Sequence, residues 1–271
     1  GTIPYVKKFY TKESLKNSLL KKNGKKKAVL ISSFTVGLFF VESVKRIASV
    51  IERYMRYRTA KVLVVTSVEE NEGKSSVAAN LALAYSEKDF KVLLVDADLK
   101  KPAMHKIFSE KNEPELSLSK CIEGQKAFSE IIIKENENLH LLCQYGGVHD
   151  SGKYLASGSF KKLIKYASEK YDYVILDTPP IGVSADAEIL FELGDTCAVV
   201  VREDWAEIGT INDVADNIRT SGCDFAGFVL NAFKSDSAHT GSYYGYGYEY
   251  YGNYYKKEKK GERDDSPSLN E

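Results

Sequence analysis

The sequence predicts an α/β fold built on a doubly wound, mostly parallel sheet flanked by helices. Continuous apolar runs, typical of parallel strands that are covered on both faces, recur along the chain. Stretches with helical periodicity separate these runs. The predicted strands are residues 62–65, 92–95, 174–176, 197–201 and 225–230. With 271 residues and 43% hydrophobic content, the chain is long enough to form one large domain of this kind.

Helices are predicted where apolar residues recur at spacings of three and four. The strongest pattern covers residues 42–58. Its apolar face consists of Val44, Ile47, Ala48, Ile51 and Met55. That face should pack on the sheet or on a neighbouring subunit. Further helices are predicted at residues 75–88, 185–193 and 208–220.

The two ends of the chain differ in composition from this central part. Residues 1–27 form a basic arm with nine lysines and one carboxylate. Such an arm could lie on anionic lipid or nucleic acid, or it could be a solvated terminus. Residues 28–235 are assigned to the central domain, and residues 236–271 to a flexible tail rich in tyrosine.

The most apolar window covers residues 28–41, but a bilayer span needs about 20 residues. A buried strand and loop are therefore predicted there. Because the chain does not begin with methionine, a membrane-spanning part could precede residue 1. The four cysteines are widely spaced and lack a zinc-type pattern, so we expect them to be reduced and buried, with no disulfide and no zinc.

Residues 61–76, KVLVVTSVEENEGKSS, combine a predicted strand with a turn of the kind that binds phosphate. The turn closes with Gly73, Lys74 and Ser75, and a glycine there lets the backbone approach a phosphate as a helix begins. Lys74 would reach the β- and γ-phosphates of a nucleotide, and the Ser75 hydroxyl would hold magnesium. Val68 stands where the complete motif has its first glycine, so a glycine turn with a surface lysine is the alternative.

Carboxylates follow two further predicted strands. Asp96 and Asp98 come after residues 92–95, and Asp177 comes after residues 174–176. Ligands of parallel α/β sheets bind at the carboxyl ends of strands, so these carboxylates should gather beside the glycine turn. There they could hold hydrated magnesium on the phosphates, and Asp96 could accept the proton of an attacking hydroxyl or orient a water. Each aspartate by itself could instead be a polar strand terminator.

The tail holds eight tyrosines within thirteen residues, interspersed with glycine, asparagine and one glutamate. They are Tyr243, Tyr244, Tyr246, Tyr248, Tyr250, Tyr251, Tyr254 and Tyr255. This glycine content precludes a packed core element, so a flexible arm is predicted. The arm could be a sticky low-complexity segment, or it could deliver several phenol hydroxyls in turn to one phosphate-transferring site.

Together these motifs resemble those of the bacterial tyrosine kinases, P-loop autokinases that control capsule and exopolysaccharide export. The resemblance covers residues 31–255. It is carried by the tyrosine-rich tail and by NEGKSS at residues 71–76, LLVDADLKKP at 93–102 and VILDTPP at 174–180. It implies a sheet of the P-loop NTPase type, a requirement for ATP and Mg²⁺, and transfer of phosphate to the tail tyrosines, mostly between subunits.

The resemblance also implies roles for individual residues. Catalytic roles are implied for Lys74, Asp96 and Asp98. The implied magnesium ligands are Ser75, Asp98 and Asp177. The implied ATP-binding residues are Asn71, Glu72, Gly73, Lys74, Ser75, Ser76 and Asn231. Within this last set, Asn231 would lie near the adenine.

Partners are implied as well. Such kinases form homo-oligomers and are paired with, or fused to, a transmembrane regulator of polysaccharide chain length, and a cognate tyrosine phosphatase is expected. This implies a cytoplasmic location at the inner face of the plasma membrane, and no nucleic-acid partner is expected. The family's ring-forming E-x-x-R-x-x-R pattern aligns with Glu42, Lys45 and Ala48, so only Glu42 is retained and ring assembly is left open.

Some positions depart from the family pattern. Glu69, Glu70 and Glu72 make the predicted phosphate loop acidic, which could weaken nucleotide affinity unless the side chains point away. Asn71 stands where many relatives have glycine, although asparagine tolerates a left-handed backbone better than most residues. Lys100 stands where arginine is frequent.

The alternative function is a partition-type or septum-site ATPase, which shares this sheet and uses ATP hydrolysis to switch dimerisation or membrane attachment. Those ATPases carry a signature lysine near the start of the loop, where this chain has Glu69. A glutamate cannot neutralise a transition-state phosphate, and such an ATPase has no use for a tyrosine-rich arm. A nucleotide-binding scaffold with little catalysis is a third possibility.

Overall fold

The structure is a computed structural model, and it describes residues 1–4, 28–33 and 36–233. Most of the predicted basic arm and all of the tyrosine-rich tail therefore lie outside the described residues. Gly1–Phe233 form a compact unit.

Within the described residues, eight strands form one sheet in the order β1-β8-β7-β2-β6-β3-β5-β4. The strands are β1 (Thr2–Pro4), β2 (Val62–Ser67), β3 (Val92–Asp96), β4 (Ile132–Lys134), β5 (Leu139–Leu142), β6 (Tyr173–Asp177), β7 (Thr196–Arg202) and β8 (Asp224–Phe233). All neighbours pair in parallel except β4 and β5. The predicted fold class, a mostly parallel sheet, is confirmed.

Helices cover both faces of this sheet. They are α1 (Leu38–Tyr57), α2 (Lys74–Ser86), α3 (Met104–Ile107), α4 (Leu118–Ile122), α5 (Phe128–Ile131), α6 (Ser151–Leu155), α7 (Gly158–Lys170), α8 (Asp186–Phe191) and α9 (Ile208–Thr220). Helices α1 and α2 share one core layer with Leu63 and Leu94, while α7, α8 and α9 share the other with Val64 and Leu93. Within the described ranges, no helix has both the length and the apolar character needed to cross a membrane.

The strand predicted within residues 28–41 is wrong. The described part of this segment is irregular up to residue 37, and α1 begins at Leu38, four residues before its predicted start. The segment is fixed by a helix side chain instead of a strand ladder, since Asn80 accepts from the Ile31 amide and donates to the Val29 carbonyl, each at 2.8 Å. A short apolar run does not by itself distinguish a strand from a loop that leads into a helix.

Three strands were not predicted: β1, β4 and β5. Strand β1 opens the segment that was assigned to the basic arm, and it pairs in parallel with β8, with Thr2 opposite Leu230. The Leu230 amide donates to the Gly1 carbonyl at 2.8 Å. Strands β4 and β5 form the opposite side of the sheet. The start of the chain is therefore part of the sheet.

Candidate functional site

Three loops at the carboxyl ends of neighbouring strands build the candidate site. The β2–α2 loop lies between the ends of β6 and β7, and β3 is the next strand beyond β6. In the register of β3 and β6, Asp96 lies directly opposite Asp177. The sheet therefore brings the predicted glycine turn and the predicted carboxylates to one edge, where ligands of such sheets bind.

The glycine turn leads into the amino terminus of α2. Gly73 precedes the first helical residue with φ 93°, and no side chain caps the helix or places a negative charge in its first turn. Lys74, Ser75 and Ser76 begin this helix, so their amides and the helix dipole favour an anion there. Asn71 has φ 66°, the left-handed conformation that asparagine tolerates.

Asn231 of β8 lies against this turn. Its side-chain amide donates to the Glu72 carbonyl at 2.8 Å, and a methyl group added at Gly73 would clash with the same amide. The resemblance implies that Asn231 would lie near the adenine, and the structure shows its side chain supporting the backbone of the phosphate loop. The glycine is therefore required both by its φ and by this close approach.

Lys74 lies between two carboxylates. Its Nζ is 2.8 Å from Asp98 Oδ2, 3.5 Å from Asp177 Oδ1 and 3.2 Å from the Ser75 hydroxyl. Burial alone would lower the pKa of Lys74, but the negative charges of Asp177 and Asp98 raise it above its usual value. Lys74 is therefore a buried, fully charged cation at the start of α2.

The two aspartates that end β3 and β6 are fully buried. Burial raises the pKa of Asp177 to about 6, against the attraction of Lys74, whose Nζ lies 3.5 Å from Asp177 Oδ1. Burial and the charge of Asp177 raise the pKa of Asp96 well above its ordinary value. Asp96 Oδ2 accepts from the amides of Ala103 and Met104 at 3.0 and 2.9 Å, while Oδ1 has no partner. Asp96 therefore anchors the β3–α3 loop with one oxygen only.

The residues predicted to bind magnesium fit such an ion. No group of three or more His, Cys, Asp or Glu residues within the described ranges forms a complete metal cage. Magnesium does not need one, because it binds one or two carboxylates together with phosphate oxygens and water. The carboxylate oxygens of Asp177, beside Asp98 and the Ser75 hydroxyl, are the kind of ligand it takes.

Two glutamates of the acidic loop have their charges paired, one in the interior and one at the surface. The Glu72 carboxylate is buried and accepts from the amides of Glu69 and Arg202 at 2.7 and 3.2 Å. Burial raises the pKa of Glu72. Glu70 forms an ion pair with Lys101 at 2.5 Å. Backbone amides hold the charge of Glu72, and a lysine pairs with that of Glu70. These two glutamates are therefore less able to weaken nucleotide affinity than the sequence suggests.

Sequence reasoning missed the side chains that brace the loop from β7. Arg202 donates to the Asn71 carbonyl at 3.3 Å, and the Trp205 indole donates to the Glu70 carbonyl at 3.1 Å. The Arg202 guanidinium carbon lies 4.5 Å from the centre of the Trp205 ring. Both residues follow the loop by more than a hundred positions, so only their place just after an apolar strand could have drawn attention to them.

Lys100, the position where arginine is frequent, joins a second polar cluster at this edge. Its Nζ lies 3.1 Å from Asp186 Oδ2 and 3.1 Å from the Ser184 hydroxyl. The buried Asp186 also accepts from the Ser151 hydroxyl at 2.5 Å. This cluster ties the β3–α3 loop to the loops that begin α6 and α8. The predicted acceptor tyrosines of the tail lie outside the described residues.

Replacing Gly73 with alanine is expected to weaken Mg-ATP binding at least about tenfold, because the new methyl would displace Asn231 from the loop and strain the left-handed backbone. Isothermal titration calorimetry would measure this change. Gly124→Ala is the matched control, since Gly124 also has positive φ, 76°, but lies in open space in the turn after α4. Equal affinities of the two variants for Mg-ATP would contradict the prediction.

Comparisons with known proteins identify the family of the chain. A family model described as an AAA domain matches residues 60–219. The chain is 30% identical over 201 residues to tyrosine-protein kinase CpsD of Streptococcus agalactiae. The aligned region covers 74% of this chain and 84% of CpsD. It is 31% identical over 189 residues to tyrosine-protein kinase YwqD of Bacillus subtilis, covering 69% of this chain and 79% of YwqD.

Solved structures show the same fold. The kinase domain of Escherichia coli tyrosine kinase ETK superposes with a TM-score of 0.74 at 23% identity, covering 89% of this chain and 92% of that domain. The septum site-determining protein MinD from Pyrococcus horikoshii gives a TM-score of 0.56 at 23% identity, covering 65% and 72%. The septum-site ATPases are thus more distant relatives in fold. The chain belongs to the bacterial tyrosine kinases, within the AAA domain family.

Proposed function

We propose that this chain is an ATP-dependent protein-tyrosine kinase that phosphorylates the tyrosines of its own C-terminal tail, mostly between subunits. The observation that carries the proposal is the position of Lys74, held by Asp98 and Asp177 at an uncapped helix terminus. A buried cation, free helix amides and metal-binding carboxylates at one point are what phosphoryl transfer requires.

Each residue of the site has a defined part in this reaction. Lys74 and the first amides of α2 neutralise the β- and γ-phosphates. Ser75, Asp98 and Asp177 would hold Mg²⁺, which supplies positive charge between the phosphates when bound. The phenol oxygen of a tail tyrosine attacks the γ-phosphorus, the bond to the ADP oxygen breaks, and Asp96 accepts the phenol proton. Oδ1, the Asp96 oxygen without a partner, is the atom that would take this proton.

The proposal includes partners and a location. Homo-oligomer formation is supported by exposed apolar residues on α1, Leu38, Phe39 and Val50, although only Glu42 of the ring-forming pattern is present. A transmembrane activator is proposed from the family resemblance. Among the solved structures, the chimerical protein CapA2B2 matches this chain at 25% identity with a TM-score of 0.70. Under this proposal the kinase acts in capsular or exopolysaccharide export at the inner face of the plasma membrane, opposed by a tyrosine phosphatase.

Incubation of the full chain with ATP and Mg²⁺ is expected to add several phosphates, all within residues 243–255, as measured by intact mass and peptide sequencing. Replacing the eight tail tyrosines with phenylalanine should remove this signal. Tyr166→Phe is the control, since this exposed tyrosine on α7 lies outside the tail. The proposal fails if the tail stays unmodified, even with the cytoplasmic segment of a membrane regulator supplied, while free phosphate accumulates.

Transfer between subunits can be tested by mixing two variants of this chain, neither of which can phosphorylate its own tail. A Lys74→Met chain has an intact tail and a defective site, while the chain with eight phenylalanines has an intact site and no acceptors. Phosphate on the Lys74→Met chain in the mixture is the expected result. Labelling that appears only when site and tail share one chain would show transfer within a subunit instead.

A further inference from the structure

The two sides of the phosphate loop differ in their chemistry. Toward β6 and β3, Lys74 meets Asp98 and Asp177, where a metal ion and the terminal phosphates fit. Strand β2 has β6 on one side and β7 on the other. Since the metal and the terminal phosphates fit on the β6 side, the side toward β7 and β8 is the one left for a nucleoside at the far end of the phosphate chain.

An aromatic side chain stands on that side. The Trp205 indole is fixed at its edge by the hydrogen bond from Nε1 to the Glu70 carbonyl, at 3.1 Å. The Arg202 guanidinium stacks on the ring at 4.5 Å and is itself held by the Asn71 carbonyl. Asp204, just before the tryptophan, has φ 56°, in the left-handed region that aspartate adopts more readily than most residues. Even so, 44% of Trp205 remains exposed.

We propose that Trp205, backed by Arg202, is the stacking platform for the base of the bound nucleotide. This inference rests on the proposed nucleotide binding and adds the residue that recognises the base. A tryptophan offers a purine a large, flat, polarisable surface. The hydrogen bond to Glu70 fixes the ring relative to the phosphate loop, so base and phosphates would be bound by one rigid unit. Asn231 lies on the same side of the loop.

The same contacts are also compatible with a purely structural role for Trp205. The indole could serve only to brace the Glu70 carbonyl, with no ligand contact at all. The two roles predict different behaviour toward a ligand that has phosphates but no base. A brace supports both ligands equally, whereas a platform favours only the ligand that carries a base.

The test measures the affinities of the full chain for Mg-ATP and for Mg-tripolyphosphate by isothermal titration calorimetry. Trp205→Ala is expected to weaken Mg-ATP binding about tenfold more than Mg-tripolyphosphate binding, since only ATP loses a base–aromatic stack, while any loss of the Glu70 contact affects both ligands alike. Trp205→Phe keeps an aromatic face but loses the indole N–H, so it should retain most of the preference for ATP. Tyr57→Ala, which removes an exposed aromatic from the end of α1, should change neither affinity.

Equal weakening of both ligands in Trp205→Ala would show that the indole only braces the loop, and it would overturn the inference. Unchanged ATP affinity in that variant would overturn it as well. Failure of the kinase proposal would look different, because the chain would bind ATP with the expected dependence on Trp205 while the tail gained no phosphate.

Discussion

Replacing Lys74 with methionine is expected to lower phosphate transfer to the tail by about 1000-fold, since it removes the buried cation aimed at the transferring group. Transfer would be measured as the initial rate of phosphate incorporation from Mg-ATP. The structure adds a cost to stability, because Lys74 lies 2.8 Å from Asp98 and 3.5 Å from Asp177. Breaking a buried pair of this kind costs about 3 kcal/mol of unfolding free energy.

The domain should survive this loss, since domains of this size unfold with about 5 to 15 kcal/mol. Urea unfolding of the variant would verify that it is folded. Lys161→Met is the matched control, because Lys161 is a half-exposed lysine on α7 that pairs with Glu192 at 3.6 Å. A Lys74→Met chain that still labels its tail at the normal rate would show that the site is assigned to the wrong residues.

Replacing Asp177 with asparagine is expected to have opposite effects on activity and stability. Loss of a magnesium ligand should lower transfer by about 100-fold or more, since metal stabilisation of the transferring phosphate contributes several kcal/mol. The nucleotide-free protein should nevertheless become more stable at pH 7.5, by about 2 kcal/mol, because burial disfavours the charge of Asp177 by more than the attraction of Lys74 offsets, and Lys74 keeps its pairing with Asp98.

The pH dependence gives this prediction a second readout. The pKa of Asp177 is raised in the folded protein to about 6, from an ordinary value of 3.8. Between these values the folded state binds a proton that the unfolded state does not, so the free energy of unfolding falls as pH rises through this window. The contribution amounts to about 3 kcal/mol at most, and Asp177→Asn should remove it.

Urea unfolding at pH 5 and pH 7.5, without nucleotide, would measure the difference. Asp216→Asn is the control, because Asp216 is an exposed aspartate on α9, paired with Arg219 at 2.8 Å. The expected difference in unfolding free energy between Asp177→Asn and the unsubstituted protein is larger at pH 7.5 than at pH 5. Equal differences at the two pH values would contradict the argument that burial disfavours the charge of this carboxylate.

The elements that build the site were predictable because their sequence pattern is strong. Strands β2, β3 and β6 are buried on both faces, so they read as continuous apolar runs, and each ends in a turn or an aspartate. Parallel topology then brings those ends together without further information. This is why Lys74, Asp98 and Asp177 could be expected to lie near one another.

Other features depend on contacts that a linear pattern does not carry. Strands β1 and β4 have three residues each, too short for any periodicity. The apolar run at residues 28–41 reads as a strand, but Asn80 holds its backbone in a loop and α1 takes over its second half. The roles of Glu72 and Trp205 depend on backbone groups of distant loops, so only the folded chain reveals them.

The short outer strands of the sheet have a consequence for self-association. Among the residues that the structure describes, both edges of the sheet are three-residue strands, β1 and β4, and β1 includes Pro4, which has no amide hydrogen to donate. Such edges offer too little free backbone to template another chain by strand addition. Within the described residues, copies of this protein should therefore associate through helix faces in preference to the edges of the sheet.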